Sequence, residues 1–173
     1  MCIRDRSGKQ VAVLVELRAR FDEARNIHWA GKLEDAGVHV AYGVVGLKTH
    51  TKTVLVVRQE AGGIRCYAYL GTGNFNSKTA GLYEDVGLFT ADPAITEDLV
   101  TLFNYMTGRS RQREYNKLLV APTTMKSNFL DYIEREIMVS TAERPGRIIC
   151  KMNQLEDREV SDALYRASRA GVQ

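Results

Sequence analysis

His50 and Lys52 are the residues of this chain whose types and spacing most clearly suggest chemistry. They open the segment 50–58, whose apolar, β-branched character predicts a strand, and alternate residues of a strand project from the same face. A neutral imidazole can attack phosphorus, and a lysine beside it can neutralise phosphate oxygens during the transfer. Two such residues can also share a half-buried strand without any chemical role. The spacing alone therefore leaves both interpretations open.

A glycine-rich loop, Gly71-Thr-Gly-Asn-Phe-Asn76, directly follows the next predicted strand. Its two glycines permit backbone conformations in which amide groups converge on an anion, and an asparagine side chain adds further donors. A hairpin through Gly62-Gly63 would return this loop to the end of the sheet where His50 lies. The two motifs together predict one phosphate-binding pocket, whose loop residues are Gly71, Thr72, Gly73 and Asn74.

The elements that must position these motifs alternate between strands and helices. The first strand, helix and strand form a βαβ unit, for which a parallel pair and a right-handed crossover are expected. The glycine pair at 62–63 predicts an antiparallel hairpin instead, so the sheet should be mixed. The predicted fold is α/β, a mixed sheet flanked by helices, with strands at 11–17, 38–42, 50–58, 64–70 and 85–90 and helices at 22–35 and 93–106.

A charged stretch without periodicity at 109–116 predicts a linker between a first domain at 8–108 and a second that begins at 117. The second domain repeats the alternation, with strands predicted at 118–122 and 147–152 and helices near 125–141 and 157–169. Residues 1–7 join poorly to the rest of the chain and look like a translated adapter remnant, so we expect a non-native leader there. The last residues read as a helix end before a strand, so we expect truncation at both ends.

The composition excludes several classes of protein. Apolar residues make up 45% of the chain, which is enough for a packed core, and 24 Lys and Arg against 21 Asp and Glu suit an acidic ligand without suggesting a nucleic-acid binder. Cys2, Cys66 and Cys150 are an odd number without metal-ligand spacing, so neither a disulfide framework nor a zinc site is predicted. Since no apolar run approaches the roughly 20 residues that span a bilayer, we expect a cytoplasmic protein without a membrane segment.

Five blocks of the sequence resemble the signature blocks of the polyphosphate kinase family, in that family's order and spacing. They are Glu16-Leu-Arg-Ala-Arg-Phe-Asp22, Asn26-Ile-His-Trp29, Ala36-Gly-Val-His-Val40, Gly46-Leu-Lys-Thr-His-Thr-Lys52 and Leu70-Gly-Thr-Gly-Asn-Phe-Asn76. The resemblance continues through Leu82-Tyr-Glu-Asp85 and Leu102-Phe-Asn104 to Tyr132-Ile-Glu-Arg-Glu136. It covers nearly everything after residue 8.

The resemblance implies a phospholipase D-like fold, with one near-complete C-terminal domain and the start of a second. It also implies that His50 is the histidine phosphorylated in the reaction, that Arg20 lies at the magnesium and phosphate site, and that Tyr83 contacts the nucleotide. The implied activity is reversible transfer of the terminal phosphoryl group of ATP to inorganic polyphosphate, with ADP as product and Mg²⁺ as cofactor, in a homo-oligomeric full-length protein.

The position of Arg20 in the sequence also predicts a phosphate-binding role, independently of the family resemblance. It follows the C-terminal end of the first strand, where open α/β sheets bind ligands, and its guanidinium group can hold phosphate through two hydrogen bonds. A surface ion pair with Glu23 is the alternative.

Other histidines and aromatic residues have less specific roles. His28 and His39 fall in the predicted helix and second strand of the first domain and are interpreted as structural. Tyr67 and Tyr69 alternate along the strand before the glycine-rich loop, so one face of that strand could line the pocket, although core packing is the expected role.

Two departures limit the resemblance to phospholipase D. Val57 stands where that pattern has an aspartate five residues after the lysine, which argues against simple phosphodiesterase chemistry. The second histidine motif is absent, so we expect negligible turnover by this segment alone. A phospholipase D-like phosphodiesterase and a non-catalytic polyanion-binding module remain alternative functions. Hydrolysis of a diester would favour the first, and binding of polyphosphate that is unaffected by loss of His50 would favour the second.

Overall fold

The structure is a computed structural model that describes residues 8–18 and 23–173. The chain divides into two compact units, one ending at Lys117 and the other running from Leu118 to Gln173. Within the described ranges, no helix is both long and apolar enough to cross a membrane. Cys66 and Cys150 are free thiols. The predicted leader at 1–7 and Arg20 lie outside the described residues.

The first unit begins with the predicted βαβ arrangement. Strand β1 (Ala12–Val15) and strand β2 (His39–Tyr42) are parallel and pair in register from Ala12 with His39 to Val15 with Tyr42. Helix α1 (Glu23–Asp35) connects them and contributes Ala30, which is fully buried. The helix stops before Gly37, whose φ of 74° lies in the left-handed region that ends many helices. The predicted parallel pair is confirmed.

Three antiparallel strands come next and carry the motifs that predict chemistry. Strand β3 (Lys52–Glu60) and strand β4 (Gly63–Gly71) form the predicted hairpin, and β5 (Gly87–Thr90) pairs with the other edge of β4. Gly63 turns the chain with a φ of 115°. Residues directly opposite each other in an antiparallel pair project from the same face. One face therefore carries the buried Ala68, and the other carries Lys52 and its cross-strand neighbours.

The prediction of a single mixed sheet is wrong for the described residues, in which the parallel pair and the three antiparallel strands form separate sheets. The chain between them, 43–51, contains only an isolated bridge between Val44 and Leu47. Gly43 and Gly46 adopt φ values of 62° and 76° there. These left-handed residues bend the chain between β2 and β3, where glycine tolerates such angles. The α/β class itself is confirmed.

Two helices complete the first unit around the three-stranded sheet. The short α2 (Ser77–Ala80), absent from the predicted elements, follows the glycine-rich loop. Helix α3 (Pro93–Met106) matches the predicted helix, and its N-cap Asp92 accepts hydrogen bonds from the amides of Ala94 and Ile95 at 2.9 and 3.2 Å. It packs against β3 and β4, and Leu99 is its fully buried residue.

The segment that follows α3 folds back along that helix. The amides of Arg109 and Ser110 donate to the carbonyl of Asn104 at 2.8 and 3.1 Å. Asp98, only 3% exposed, accepts from the amides of Asn116 and Lys117 at 2.9 and 2.6 Å. The predicted linker 109–116 is therefore hydrogen-bonded to α3 at both ends.

The second unit is a pair of helices, α4 (Met125–Val139) and α5 (Arg158–Arg169). Their apolar contact centres on Ile133, Ala163 and Ala167. Lys126 of α4 also bonds Asp157, the N-cap of α5, at 2.8 Å and Glu159 in its first turn at 3.0 Å. Both predicted helices are confirmed.

The strands predicted in the second unit at 118–122 and 147–152 do not form. Both segments have suitable composition, but a strand is stable only beside a partner. The chain near Ile148 has a single short pairing, in which its amide donates to the carbonyl of Gln173 at 2.7 Å. The amide of Gln173 donates in turn to the carbonyl of Gly146 at 2.9 Å.

Candidate functional site

His50 and Lys52 lie at the start of β3, although the strand begins two residues later than predicted. His50 precedes the strand and has an exposed side chain, whereas Lys52 is its first residue and only 8% exposed. The ammonium group of Lys52 donates to the backbone carbonyl of His50 at 2.5 Å. The lysine therefore fixes the backbone that presents the imidazole.

The segment before His50 is held by Glu16, which follows β1. The Glu16 carboxylate accepts from the amide of Thr49 at 2.7 Å and from that of Arg18 at 2.8 Å. The side-chain amide of Asn26 donates to the backbone carbonyl of Glu16 at 3.0 Å, which connects α1 to the same point. Burial raises the pKa of Glu16, but the two amide hydrogen bonds and the cations Arg18 and Lys48 outweigh burial and lower it. Glu16 is a positioning residue that sequence reasoning missed.

The electrostatic surroundings favour a neutral imidazole at His50. Partial burial of the ring lowers the pKa of His50 below its ordinary value, and the positive charges of Lys52 and Lys48 lower it further. Burial also lowers the pKa of Lys52, with Lys48 acting in the same direction and Asp85 against it.

The glycine-rich loop starts directly opposite Lys52. Gly71 pairs with Lys52 across β3 and β4, and with Gly87 across β4 and β5. Gly71 and Gly73 are not among the glycines with positive φ. A Cβ atom at Gly71 would overlap the ring of Tyr69, and one at Gly73 would overlap the side chain of Asp85. The loop therefore needs glycine for close packing, not for the unusual backbone angles that we predicted.

Thr72 connects this loop to the start of β5. Its amide donates to the carbonyl of Val86 at 3.0 Å, and its hydroxyl donates to the Asp85 carboxylate at 2.9 Å. The same hydroxyl accepts from the amide of Val86 at 3.0 Å. Thr72 therefore holds the loop in place here, and a bound phosphate would have to compete for these donors. Asp85, which sequence reasoning did not assign, becomes part of the site through this connection and through its effect on the pKa of Lys52.

The remaining predicted loop and nucleotide residues are more exposed. Asn74 is exposed, and its carbonyl accepts from the amide of Asn76 at 2.7 Å. Asn76 caps α2 by accepting from the amides of Lys78 and Thr79 at 2.9 and 3.3 Å. Tyr83 has a 56% exposed side chain, which forms no hydrogen bond with the described parts of the chain. The side chains of Asn74 and Tyr83 are thus available to a ligand.

A cleft of about 530 Å³ includes the end of this loop. It is lined by Val15, Arg25, Asn26, Trp29 and the residues 75–77. His50 and Lys52 are not among its lining residues. Of the other sequence-predicted residues, His28 makes an edge contact with Trp29, with the ring centroids 6.2 Å apart, and His39 is exposed on β2.

The described residues contain no group of three or more His, Cys, Asp and Glu side chains placed to hold a metal ion. Mg²⁺ in phosphate-transfer sites is commonly held by one or two carboxylates together with phosphate oxygens and water. The Glu16 carboxylate already accepts hydrogen bonds from two amides. Among the described residues, Asp85 is a carboxylate near Lys52 that could bind such an ion. Any Mg²⁺ at this site would therefore depend mainly on phosphate oxygens and water for its ligands.

Two family models match the chain. The model described as polyphosphate kinase C-terminal domain 1 matches residues 3–112, and that described as polyphosphate kinase C-terminal domain 2 matches residues 118–173. Polyphosphate kinases of Thermosynechococcus vestitus and Mycobacterium tuberculosis are 63% and 61% identical to the chain over 166 and 170 residues. Each alignment covers 96% of this chain and 23% of the relative, so the chain spans about a quarter of those proteins.

A solved structure is also similar to the chain. The crystal structure of polyphosphate kinase from Porphyromonas gingivalis matches with a TM-score of 0.82 and 40% sequence identity. The match covers 98% of this chain and 28% of that protein. The sequence relatives and the structural neighbour thus carry the same name.

Proposed function

Because the chain belongs to the polyphosphate kinase family, we propose that it contributes the phosphoryl-accepting half of the site at which His50 is phosphorylated. The observation that supports this most directly is the lowered pKa of His50 next to Lys52, which lies opposite Gly71 of the glycine-rich loop. The overall reaction would be reversible transfer of the terminal phosphoryl group of ATP to inorganic polyphosphate.

The chemistry proceeds in two displacements at phosphorus. A ring nitrogen of neutral His50 attacks the terminal phosphorus of ATP, a phosphorus–nitrogen bond forms, and ADP leaves with the electrons of the broken bridging bond. The terminal oxygen of a polyphosphate chain then attacks the phosphohistidine, and His50 is released as a neutral imidazole. A lowered pKa keeps the nitrogen lone pair available for the first displacement.

The surrounding residues would stabilise charge and fix position. Lys52 lies close enough to lower the pKa of His50, so its ammonium group is placed to neutralise a phosphoryl oxygen. Lys48 adds a second positive charge on the same side. Mg²⁺, when bound, would draw charge from the phosphate oxygens, with Asp85 as the protein carboxylate available to it and Arg20 assigned to the same region by the family resemblance.

The test joins residues 8–173 into the remainder of the Thermosynechococcus vestitus polyphosphate kinase, in place of the 63% identical segment. The chimera is incubated with ATP carrying a labelled terminal phosphate, and acid-labile label is sought on the peptide that contains His50. We expect label and polyphosphate synthesis in the unsubstituted chimera, and neither in His50→Ala.

His39→Ala is the matched control, because His39 is another exposed histidine of the same unit and should leave labelling unchanged. Label that persists in His50→Ala would refute the proposed role of His50. Binding of inorganic tripolyphosphate without label in any variant would favour the polyanion-binding module instead. The 173-residue chain alone should give negligible turnover.

A further inference from the structure

The hydroxyl group of Tyr69 lies close to the residues that stand beside Lys52 on the neighbouring strands. Lys52, Gly71 and Gly87 stand side by side on three neighbouring strands and share one face of the sheet. Tyr69 projects from the same face, two residues before Gly71 on β4. A Cβ atom at Gly71 would overlap the hydroxyl end of its ring, and one at Gly87 would overlap the opposite ring edge. The two glycines thus leave the space that this phenol occupies.

The ring is held in this direction by aromatic neighbours. Its centroid lies 4.8 Å from that of Phe89 and 5.8 Å from that of Phe75, with an interplanar angle of 48° in both pairs. Phe89 is directly opposite Tyr69 on β5, and Phe75 belongs to the glycine-rich loop. Aromatic contacts at these separations favour a fixed ring orientation. The phenol is therefore positioned from both the strand and the loop.

The hydroxyl group of Tyr69 has no hydrogen-bond partner within the described parts of the chain. A tyrosine hydroxyl in protein surroundings usually finds a partner. Tyr67, two residues earlier on the same face, meets this expectation because its hydroxyl donates to the Glu60 carboxylate at 2.7 Å. The two tyrosines of this strand face thus differ in their hydroxyl groups: that of Tyr67, further along the strand from Gly71, is bonded to Glu60, and that of Tyr69, beside Gly71, has no partner within the described residues.

We propose that the Tyr69 hydroxyl group, whose ring fills the space beside Gly71 and Gly87, donates a hydrogen bond to a phosphate oxygen of the chain that Lys52 holds. This inference rests on the proposed function, since it takes the anion at Lys52 to be ATP or polyphosphate. The Tyr69 hydroxyl is a neutral hydrogen-bond donor, whereas the neighbouring Lys52 ammonium group is charged. Tyr69 would therefore orient one phosphate oxygen without adding charge to the site. No bond is made or broken at the phenol.

The test compares Tyr69→Phe with Tyr67→Phe in the 173-residue chain, with inorganic tripolyphosphate as the probe in titration calorimetry. Tyr69→Phe keeps the ring, its aromatic contacts and its packing on the glycines, so the fold is preserved. We expect its Kd for tripolyphosphate to rise about ten- to a hundredfold, the range for a hydrogen bond to a charged group. Tyr67→Phe should stay within about twofold of the unsubstituted chain, because its hydroxyl is turned to Glu60.

Several outcomes would overturn the proposal. They are an unchanged Kd in Tyr69→Phe, an equal weakening in both variants, and an absence of tripolyphosphate binding by the unsubstituted chain. Thermal melting of both variants separates a binding effect from a loss of structure, since only a packing role would lower the melting temperature of Tyr69→Phe.

The labelling experiment on the chimera separates this inference from the proposed function. Loss of label in His50→Ala is the result that the proposed function requires. If His50→Ala loses the label and Tyr69→Phe has an unchanged Kd for tripolyphosphate, the role of Tyr69 is refuted and the proposed function stands. Label retained in His50→Ala would refute the proposed function whatever the phenol does.

Discussion

The ammonium group of Lys52 donates a hydrogen bond to the backbone carbonyl of His50, so the lysine acts on the histidine in two ways. It constrains the chain just before β3, and its positive charge disfavours protonation of the imidazole. One side chain thus constrains the backbone of its neighbour and, after burial, helps to lower the pKa of the His50 imidazole. Substitutions at this pair, and at the other contacts that hold the site, should therefore have separable effects on titration and on stability.

The acid limb of activity should follow the titration of His50. Because the pKa of His50 is lowered from about 6.5, the imidazole becomes neutral as the pH rises through a value below that figure. Lys52→Met removes one of the charges that lower this pKa, so the titration should move upward. NMR titration of the His50 ring protons, assigned with His50→Ala, measures the shift. Lys32→Met, which removes a cation stacked on Trp29, should leave the titration unchanged, and an equal shift there would contradict the local effect.

Glu16→Gln should loosen the segment that presents His50. The amide side chain is a weaker acceptor for the amides of Thr49 and Arg18, so we expect a loss of about 1–3 kcal/mol in the free energy of unfolding and faster hydrogen exchange at Thr49. The lowered pKa of Glu16 means that its contribution is complete above the ordinary value of about 4.5 and is lost as the pH falls through the folded-state pKa.

The control for that substitution is Glu34→Gln. The Glu34 carboxylate accepts from the exposed Tyr42 hydroxyl at 2.7 Å, so we expect an effect below about 0.5 kcal/mol. A loss in Glu34→Gln as large as that in Glu16→Gln would argue against a specific role for the Glu16 carboxylate. Urea denaturation measured over a range of pH distinguishes the two.

Asp98→Ala should release the segment 109–117 from α3. The buried carboxylate accepts from the backbone amides of Asn116 and Lys117, and its removal leaves these donors without that acceptor. We expect a loss of roughly 2–3 kcal/mol in the free energy of unfolding, with faster hydrogen exchange at both amides. The adjacent Glu97 is exposed, so Glu97→Ala should change stability by less than about 0.5 kcal/mol. Unchanged exchange at both amides in Asp98→Ala would refute this attachment.

Gly71→Ala should destabilise the first unit through overpacking. The new methyl group would meet the ring of Tyr69, and forced displacement of a packed side chain costs about 1–3 kcal/mol. Gly62→Ala is a suitable comparison, because a Cβ atom there meets nothing within 4 Å. Urea denaturation should therefore separate the two variants by at least about 1 kcal/mol. Equal stability would mean that the phenol moves aside at little cost.

Local signals in the sequence were sufficient for much of the first unit. Helix α3 was predicted with Pro93 at a favoured first-turn position, and the hairpin was predicted from Gly62-Gly63. These signals depend on residues that are close together in the chain. The strands predicted at 118–122 and 147–152 failed for the corresponding reason, since a ladder requires a partner that composition cannot identify.

The site was less predictable than the elements around it. Its anchoring contacts join residues far apart in the sequence, such as Glu16 with Thr49 and Thr72 with Asp85, and no local pattern predicts such pairs. The glycines were assigned to the correct loop for the wrong physical reason, because the need for glycine at residue 71 comes from the Tyr69 ring packed over it. Side-chain packing of this kind becomes visible only in three dimensions.

The position of β3 at the edge of its sheet has a practical consequence for handling this chain. Its nine residues pair only with β4 among the described residues, so the outer edge presents a row of unsatisfied backbone donors and acceptors. Such an edge accepts another strand through its main chain. Surface charge substitutions would leave that template intact, whereas a proline that removes an outward amide would interrupt it. Preparations that precipitate on concentration are therefore better treated by altering the backbone of β3 than by altering side chains elsewhere.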